Sequence, residues 1–235
     1  MNLQHSTALV TGGTRGIGYA IARMLVEAGG RVAITGRDEA LLSRAAAELG
    51  VLPIRADVSR EADVQRATAE VLRTFGHLDI LVNNAGVGVF KPLVDMDLDS
   101  FDRVFATNVT GAMLMGREAA RHFVQRGRGN IVNISSTAGL RGGANGTAYY
   151  ASKFALRGMT ECWRAELRKH NVRVFLVNPS EVLTDFAATA GYAQEAENPT
   201  KLHAADIAHL VKAILEMDDR GFTPELSVFA TNPKD

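Results

Sequence analysis

Between the apolar run Thr7-Ala8-Leu9-Val10 and a segment whose residues Ile17, Ile21, Met24, Leu25 and Ala28 share one helix face, the chain reads Thr-Gly-Gly-Thr-Arg-Gly-Ile-Gly from Thr11 to Gly18. Few folds place such a turn between a short buried strand and a helix. Glycine lets the chain turn tightly and lets backbone approach a ligand, and the free N–H groups at a helix start favour an anion such as pyrophosphate. The stretch therefore predicts a phosphate cradle involving Gly12, Thr14, Arg15, Gly16, Ile17 and Gly18. Its spacing is Gly-x-x-x-Gly-x-Gly, whereas the common dinucleotide fingerprint is Gly-x-Gly-x-x-Gly. No Lys-Ser/Thr follows, which argues against a nucleoside-triphosphate loop. On these residues alone, a glycine-rich turn without a ligand is the alternative.

Downstream, strand-like and helix-like segments alternate, the pattern of a parallel sheet with helices on both faces. Strands are expected at Arg31–Thr35, Val51–Arg55, Ile80–Asn83, Asn130–Ile134, Val172–Val177 and Leu226–Phe229. A helix with the stripe Leu41, Leu42, Ala45, Ala46 and Leu49 should end at Gly50, and Ser59 should cap one that ends before Gly76. Longer helices are expected over Asp97–Gln125, with Gly111 and Gly116 weakening its continuity, and over Ala148–Lys169; Ala204–Met217 makes the last. The fold class is thus α/β, one doubly wound parallel domain of about seven strands. Thr184 to Leu202, rich in small and polar residues with Gly191 and Pro199, reads as a loop or lid over a ligand.

At 235 residues and 46% hydrophobic content the chain can bury a sizeable core. Its 26 basic and 26 acidic side chains cancel, giving no overall pull toward nucleic acid or an anionic membrane. Met1 to Val10 lacks the basic start and long apolar core of a secretory signal, and nothing reads as a spanning helix. The single cysteine, Cys162, forms no internal disulfide, which suits a reducing cytoplasm. The histidines His5, His77, His122, His170, His203 and His209 show no paired ligand spacing, so no metal is expected.

The end of the second strand bears on the cofactor. An acidic residue there would bind the ribose hydroxyls of NAD, whereas an arginine nearby accommodates the added phosphate of NADP. Here Thr35-Gly36-Arg37 occupies that end, and Arg15 lies in the cradle. Two guanidinium groups on a doubly charged phosphate predict NADP(H). The competing reading makes both arginines solvated surface residues, with Asp38 paired to Arg37.

Tyr149 and Lys153 stand four apart on one helix face, and Tyr150 stands three from the same lysine, so helix geometry admits either pair. A free tyrosine has a pKa of about 10, which a nearby cation can lower by roughly 1 to 3 units. Over essentially its whole length the sequence resembles the short-chain dehydrogenase/reductases. The motifs are the cradle Thr11 to Gly18, Asn83-Asn84-Ala85-Gly86 after the fourth strand, Asp57-Val58, and the set Asn108, Ser136, Tyr149 and Lys153. The resemblance selects Tyr149 over Tyr150, and Ser136 over Ser135, because 149 − 136 = 13 is the family's spacing. It implies a Rossmann fold with Tyr149 as proton donor and Ser136 on the substrate oxygen. Lys153 would lower the Tyr149 pKa and bond the nicotinamide ribose, and Asn108 would hold a water in a proton path.

It further implies that Asn83 ties neighbouring strands and that Asp57 and Val58 contact adenine. Asn84, Ala85 and Gly86 would lie along the cofactor, and Pro179, Val182 and Thr184 would contact it near the nicotinamide. Two departures stand out: Ser180 replaces the glycine that usually follows Pro179, and the family's C-terminal glycine pair is absent. Packing of tetramers through the last strand is therefore not carried over, whereas a homo-oligomer through the two long helices is compatible with the pattern. The expected activity is NADP(H)-dependent hydride transfer between the nicotinamide and a small-molecule ketone or secondary alcohol. The pattern is similar to reductases of 3-oxoacyl carrier-protein thioesters. Alternatives are a polyol, sugar or steroid dehydrogenase of the same family, or a non-catalytic NADP-binding sensor on the same fold. Glu181 reads either as a substrate contact or as a solvated loop acid.

Overall fold

The first apolar run becomes β1 (Thr7–Val10), which lies inside a sheet whose strand order is β3, β2, β1, β4, β5, β6, β9. The other members are β2 (Arg31–Gly36), β3 (Leu52–Arg55), β4 (Ile80–Asn83), β5 (Gly129–Ile134), β6 (Val172–Pro179) and β9 (Glu225–Val228). Every pairing is parallel. The computed structural model describes residues 1–186, 190 and 200–232.

Strands buried on both faces read as apolar runs, and successive side chains enter opposite cores. Ala8 and Val10 pack with Ile21 and Leu25 of α1 (Gly16–Glu27) and Val211 of α7 (Ala204–Glu216). Leu9 points the other way, to Val71 of α3 (Glu61–Phe75) and to Met115 and Phe123 of α5 (Ala112–Arg126). The result is the doubly wound Rossmann-like α/β domain expected from the alternating pattern. Its strand order reverses direction between β1 and β4, and the crevice at the carboxyl ends of such strands is where open α/β sheets bind ligands.

Helix α2 (Glu39–Leu49) is capped by Asp38, whose carboxylate accepts from the Leu41 N–H, and stops at Gly50 in the left-handed conformation, φ 68°. Ser59 does not cap α3. The cap position is Arg60, and the Ser59 hydroxyl instead donates to the Asp57 carboxylate at 2.7 Å. The long helix expected over Asp97–Gln125 is α4 (Leu98–Phe105), a π-helical segment Ala106–Gly111, and then α5. Its irregularity is not a glycine break. Gly111 and Gly116 serve close packing: a Cβ would lie 2.7 Å from Val58 Cγ2 at Gly111 and 2.8 Å from the Trp163 ring at Gly116.

Helix α6 (Thr147–Leu167) carries the Tyr-Lys pair. The short strands β7 (Val182–Leu183) and β8 (Leu202–His203) pair in parallel and bring together the ends of the 184–202 loop. Within that loop, 187–189 and 191–199, including Gly191 and Pro199, lie outside the described residues. Among the described residues no helix is long and apolar enough to cross a membrane.

Candidate active site

At the switch point the cradle is sewn to β4. The Thr11 hydroxyl donates to Val82 O at 3.2 Å and accepts from the backbone N–H groups of Asn84 and Ala85, each at 3.0 Å. The Asn84 amide donates to Thr11 O and Gly12 O at 3.0 and 3.1 Å. Its side chain thus holds the turn itself. Thr11 was not singled out from the sequence; a hydroxyl residue at the strand end, immediately before the first glycine, was the available signal. Asn83 ties β4 to β5 through Asn133 at 3.0 Å, and reaches Ala112 O at the start of α5.

The glycines of the cradle are each required by geometry. Gly12 and Gly16 have φ of 63° and 57°. A Cβ on Gly18 would lie 2.3 Å from Gly12 O, so α1 could not approach the turn with a larger residue there. Arg15 precedes α1 in extended conformation, and no side chain caps the helix. Backbone N–H groups at this end, from Gly16 and Ile17 onward, are the orphan donors that an anion satisfies. Thr14 folds onto Gly36 so closely that a Cβ at Gly36 would stand 2.6 Å from Thr14 Cγ2. An acidic side chain at the end of β2 therefore requires Thr14 to move.

The two arginines have different surroundings. Arg37 is exposed and makes no hydrogen bond or ion pair with any described residue, because Asp38 is committed to capping α2. Arg15 lies 3.8 Å from Asp185, both about half-exposed, at the start of the loop after β7. Asp57 is likewise committed: its carboxylate accepts from the Ser59 N–H and hydroxyl, and its own N–H donates to Asp63. Val58 is buried and closes, with Thr11, Ala85 and Gly111, around one small space beside the cradle.

Four side chains from three parts of the chain meet beside this crevice. Asn108 sits in the π segment, where the altered hydrogen-bond register lets a side chain be redirected. Its amide donates to Val87 O and to Ser152 Oγ, both at 2.9 Å, and its oxygen accepts from the Val87 N–H at 2.8 Å. Ser152, fully buried between Tyr149 and Lys153, donates in turn to Tyr149 O at 2.7 Å. This serine was missed; a hydroxyl inside a helix, next to the lysine, was its only mark.

Ser136 follows β5 and accepts from the Ala138 N–H at 3.1 Å, which leaves its own proton to donate. Its side chain lies near enough to that of Tyr149 to favour the ionised phenol. Ser135 is turned instead toward the α6 backbone. Tyr150 packs over Gly143 and Gly146, where a Cβ would meet its hydroxyl or ring at 2.4 and 2.2 Å. Geometry thus separates both pairs that spacing left open. Lys153 is buried, and its ammonium donates to Ile134 O at 3.0 Å and stands 5.6 Å from the Tyr149 ring centroid.

The electrostatics differ from expectation. Burial pushes the Tyr149 hydroxyl up to about 12, with the Ser136 hydrogen bond acting against it and Tyr150 adding to the rise. Burial also pulls Lys153 down to about 8. Desolvation is the largest cause for both groups, so the phenol is not held below its ordinary value. Near them, Gly86 leaves room: a Cβ would lie 3.4 Å from Asn108 Oδ1 and 3.8 Å from Lys153 Nζ. Thr184 overhangs the cradle, 3.4 Å from where a Gly16 Cβ would stand. Pro179 ends β6 opposite Val228, Val182 lies in β7, and the Ser180 N–H donates to Val228 O.

The chain belongs to the short chain dehydrogenase family, a family of oxidoreductases, whose model matches residues 6–195. It is similar to a sorbitol dehydrogenase of Cereibacter sphaeroides, 40% identical over 185 residues that span 77% of this chain and 72% of the relative. Among solved structures, a 3-ketoacyl-(acyl-carrier-protein) reductase from Brucella melitensis complexed with NADH superposes with TM-score 0.89 at 30% identity, covering 97% of this chain and 98% of that one. A metagenomic short-chain oxidoreductase in complex with NADP gives TM-score 0.86 at 35% identity over 99% and 100% of the two chains.

Proposed function

We propose that the chain is an NADP(H)-dependent reductase of ketones to secondary alcohols, with Tyr149 as the proton donor. The observation that carries this reading is the meeting of Ser136, Tyr149 and Lys153 beside the switch-point crevice that the cradle lines. The cradle suits a dinucleotide, because its glycines turn bare backbone and an uncapped helix start toward the crevice. Gly12, Thr14, Arg15, Gly16, Ile17 and Gly18 would hold the pyrophosphate side and Arg37 the added phosphate. Val58, Ala85 and Gly86 would line the adenosine, and Pro179, Val182 and Thr184 the nicotinamide end. Asp57 and Asn84 support these contacts by fixing the turns around them.

When bound, the nicotinamide supplies or takes up hydride. The protein's part is the proton and the oxygen. A hydroxyl held near 12 keeps its proton at neutral pH and can give it to the carbonyl oxygen as hydride reaches the carbon, which is the direction of reduction. Ser136, its hydroxyl oriented by the Ala138 N–H, bonds the same oxygen. Lys153 keeps most of its charge at neutral pH and stabilises the negative charge that proton loss leaves on Tyr149. Both amide hydrogens of Asn108 are engaged, by Val87 O and Ser152 Oγ, so a water it holds would donate to one of its oxygens. Assembly into a homo-oligomer through α5 and α6 belongs to the same reading, and sedimentation tests it.

Following NADPH absorbance with a panel of ketones, hydroxyketones and acetoacetyl thioesters tests the activity. Tyr149→Phe should abolish turnover while NADPH binding stays largely intact. A variant that keeps near-normal rate would require another acid, and tight cofactor binding with no turnover on any carbonyl would favour a sensor.

A further inference from the structure

The ring of Tyr149 is walled by other rings. Phe90 stands 5.3 Å from it, tilted 49°, and Phe186 stands 5.4 Å away, tilted 47°. They come from separate parts of the chain, one following β4 and the other opening the loop after β7. Both converge on Gly88, where a Cβ would lie 2.9 Å from an atom of each ring. Tyr150 adds an edge at 6.3 Å.

Among the described residues, the charged groups at the two ends of the neighbouring loop have partners away from Tyr149. Asp185 faces Arg15, and Glu181 pairs at 3.1 Å with the buried Lys201, tying the two ends of the loop together. Glu181 is thereby accounted for as a stem residue. Among the described residues, the polar groups that act on Tyr149 are Ser136, Lys153 and Tyr150. Groups flanking a bound carbonyl would meet phenyl faces on the Phe90 and Phe186 sides.

The geometry points to Phe90 and Phe186 as specificity-determining residues that select ketones flanked by apolar, ring-sized groups and reject polyols, sugars and short polar thioesters. The inference rests on the reading of Tyr149 as proton donor. A hydroxyl beside the reacting carbon would lose its water against a phenyl face that offers no hydrogen-bond partner, whereas an alicyclic or aromatic ring buries area and packs at an offset on the same surface. Similarity to a sorbitol dehydrogenase would suggest polyols; the wall beside Tyr149 argues for the opposite class.

The test measures kcat/KM with 2-decalone and acetophenone against erythrulose and an acetoacetyl thioester, in the wild type, Phe90→Ala, Phe186→Ala and Phe186→Leu. Circular dichroism and the melting temperature of each variant certify that the fold persists, and NADPH titration certifies that the cofactor still binds. The wild type should prefer the apolar ketones by about a hundredfold. That ratio should fall about tenfold or more in each alanine variant, mainly through KM, and recover in part with leucine. Preference for erythrulose or the thioester in the wild type, or an unmoved ratio in both alanine variants, overturns the inference while leaving the reductase reading intact. Absence of turnover on every carbonyl, with NADPH bound, overturns both.

Discussion

Replacing Arg37 by alanine isolates the term that decides between the two nicotinamide dinucleotides. Its guanidinium follows β2 directly, is exposed, and has no described partner, while the acid beside it is occupied with the Leu41 N–H at 2.9 Å. A hydrogen bond between charged groups contributes about 1.5–3 kcal/mol, and the exposure of this site places it toward the lower part of that range in salt. At about 1.4 kcal/mol per tenfold, Arg37→Ala should weaken NADPH about tenfold to thirtyfold and leave NADH within about twofold. Fluorescence titration of both cofactors at low and high salt measures this, and the NADPH advantage should shrink as salt rises. Arg15→Ala should behave differently, because Arg15 is shared with Asp185 at 3.8 Å and its loss disturbs the loop that overhangs either cofactor. The converse change, Gly36→Asp, should favour NADH only when Thr14→Ala clears the 2.6 Å clash. Equal affinities in the wild type, or an unchanged preference in Arg37→Ala, would refute the phosphate site.

Ser152→Ala removes one acceptor of the buried Asn108 amide and should cost about 1–3 kcal/mol, which calorimetry would read at roughly 2–4 °C per kcal/mol for a chain of this size; an unchanged melting temperature would show the bond to be unimportant. Gly86→Ala should leave the melting temperature nearly unchanged, since its Cβ stands at 3.4 Å from Asn108 Oδ1, yet weaken NADPH by crowding the cofactor; equal cofactor affinity would place the dinucleotide elsewhere. Lys153 should lose its proton near pH 8, detectable by NMR of labelled lysine and absent in Lys153→Met. The unfolded chain keeps that proton to about 10.5 and the folded chain releases it near 8, so the wild type should gain stability relative to Lys153→Met as pH rises through this window. A relative stability that falls there would reverse the assignment of burial as the cause.

Much of the fold was legible because its signals are local. Continuous apolar runs gave the buried strands, and Gly50 and Gly76 marked helix ends that the structure places where expected. Resemblance to the short-chain dehydrogenase/reductases likewise groups Ser136, Tyr149 and Lys153 in one set. What escaped is set by contacts between distant segments. Gly111 and Gly116 looked like weak points of a helix, but they admit Val58 and Trp163, and the π segment that redirects Asn108 carries no residue type that announces it. Ser59 has the composition of a cap, but its hydroxyl donates to Asp57 and the helix starts one residue later, with Arg60 in the cap position. The Tyr149 pKa was misjudged for the same reason: a lysine four residues away is visible in sequence, whereas the burial that outweighs it comes from tertiary packing that includes Phe90 and Phe186.

The loop after β7 shows how these distant contacts organise the site. Its first three residues land on three different parts of it: Thr184 over Gly16 of the cradle, Asp185 on Arg15, and Phe186 against Tyr149. The stem behind them is fixed by the β7–β8 pairing and by Glu181 on the buried Lys201. Burying an ammonium is tolerable only with a partner, so the stem position is strongly specified. On the proposed function, cofactor and substrate recognition share one short, anchored segment. A cofactor that repositions Arg15 or Thr184 would also reposition the ring that walls Tyr149, and substitutions at 184–186 should move the KM for the carbonyl and the affinity for the dinucleotide together. Substitution of Phe90, which approaches the same ring from the segment after β4, should move the first more than the second.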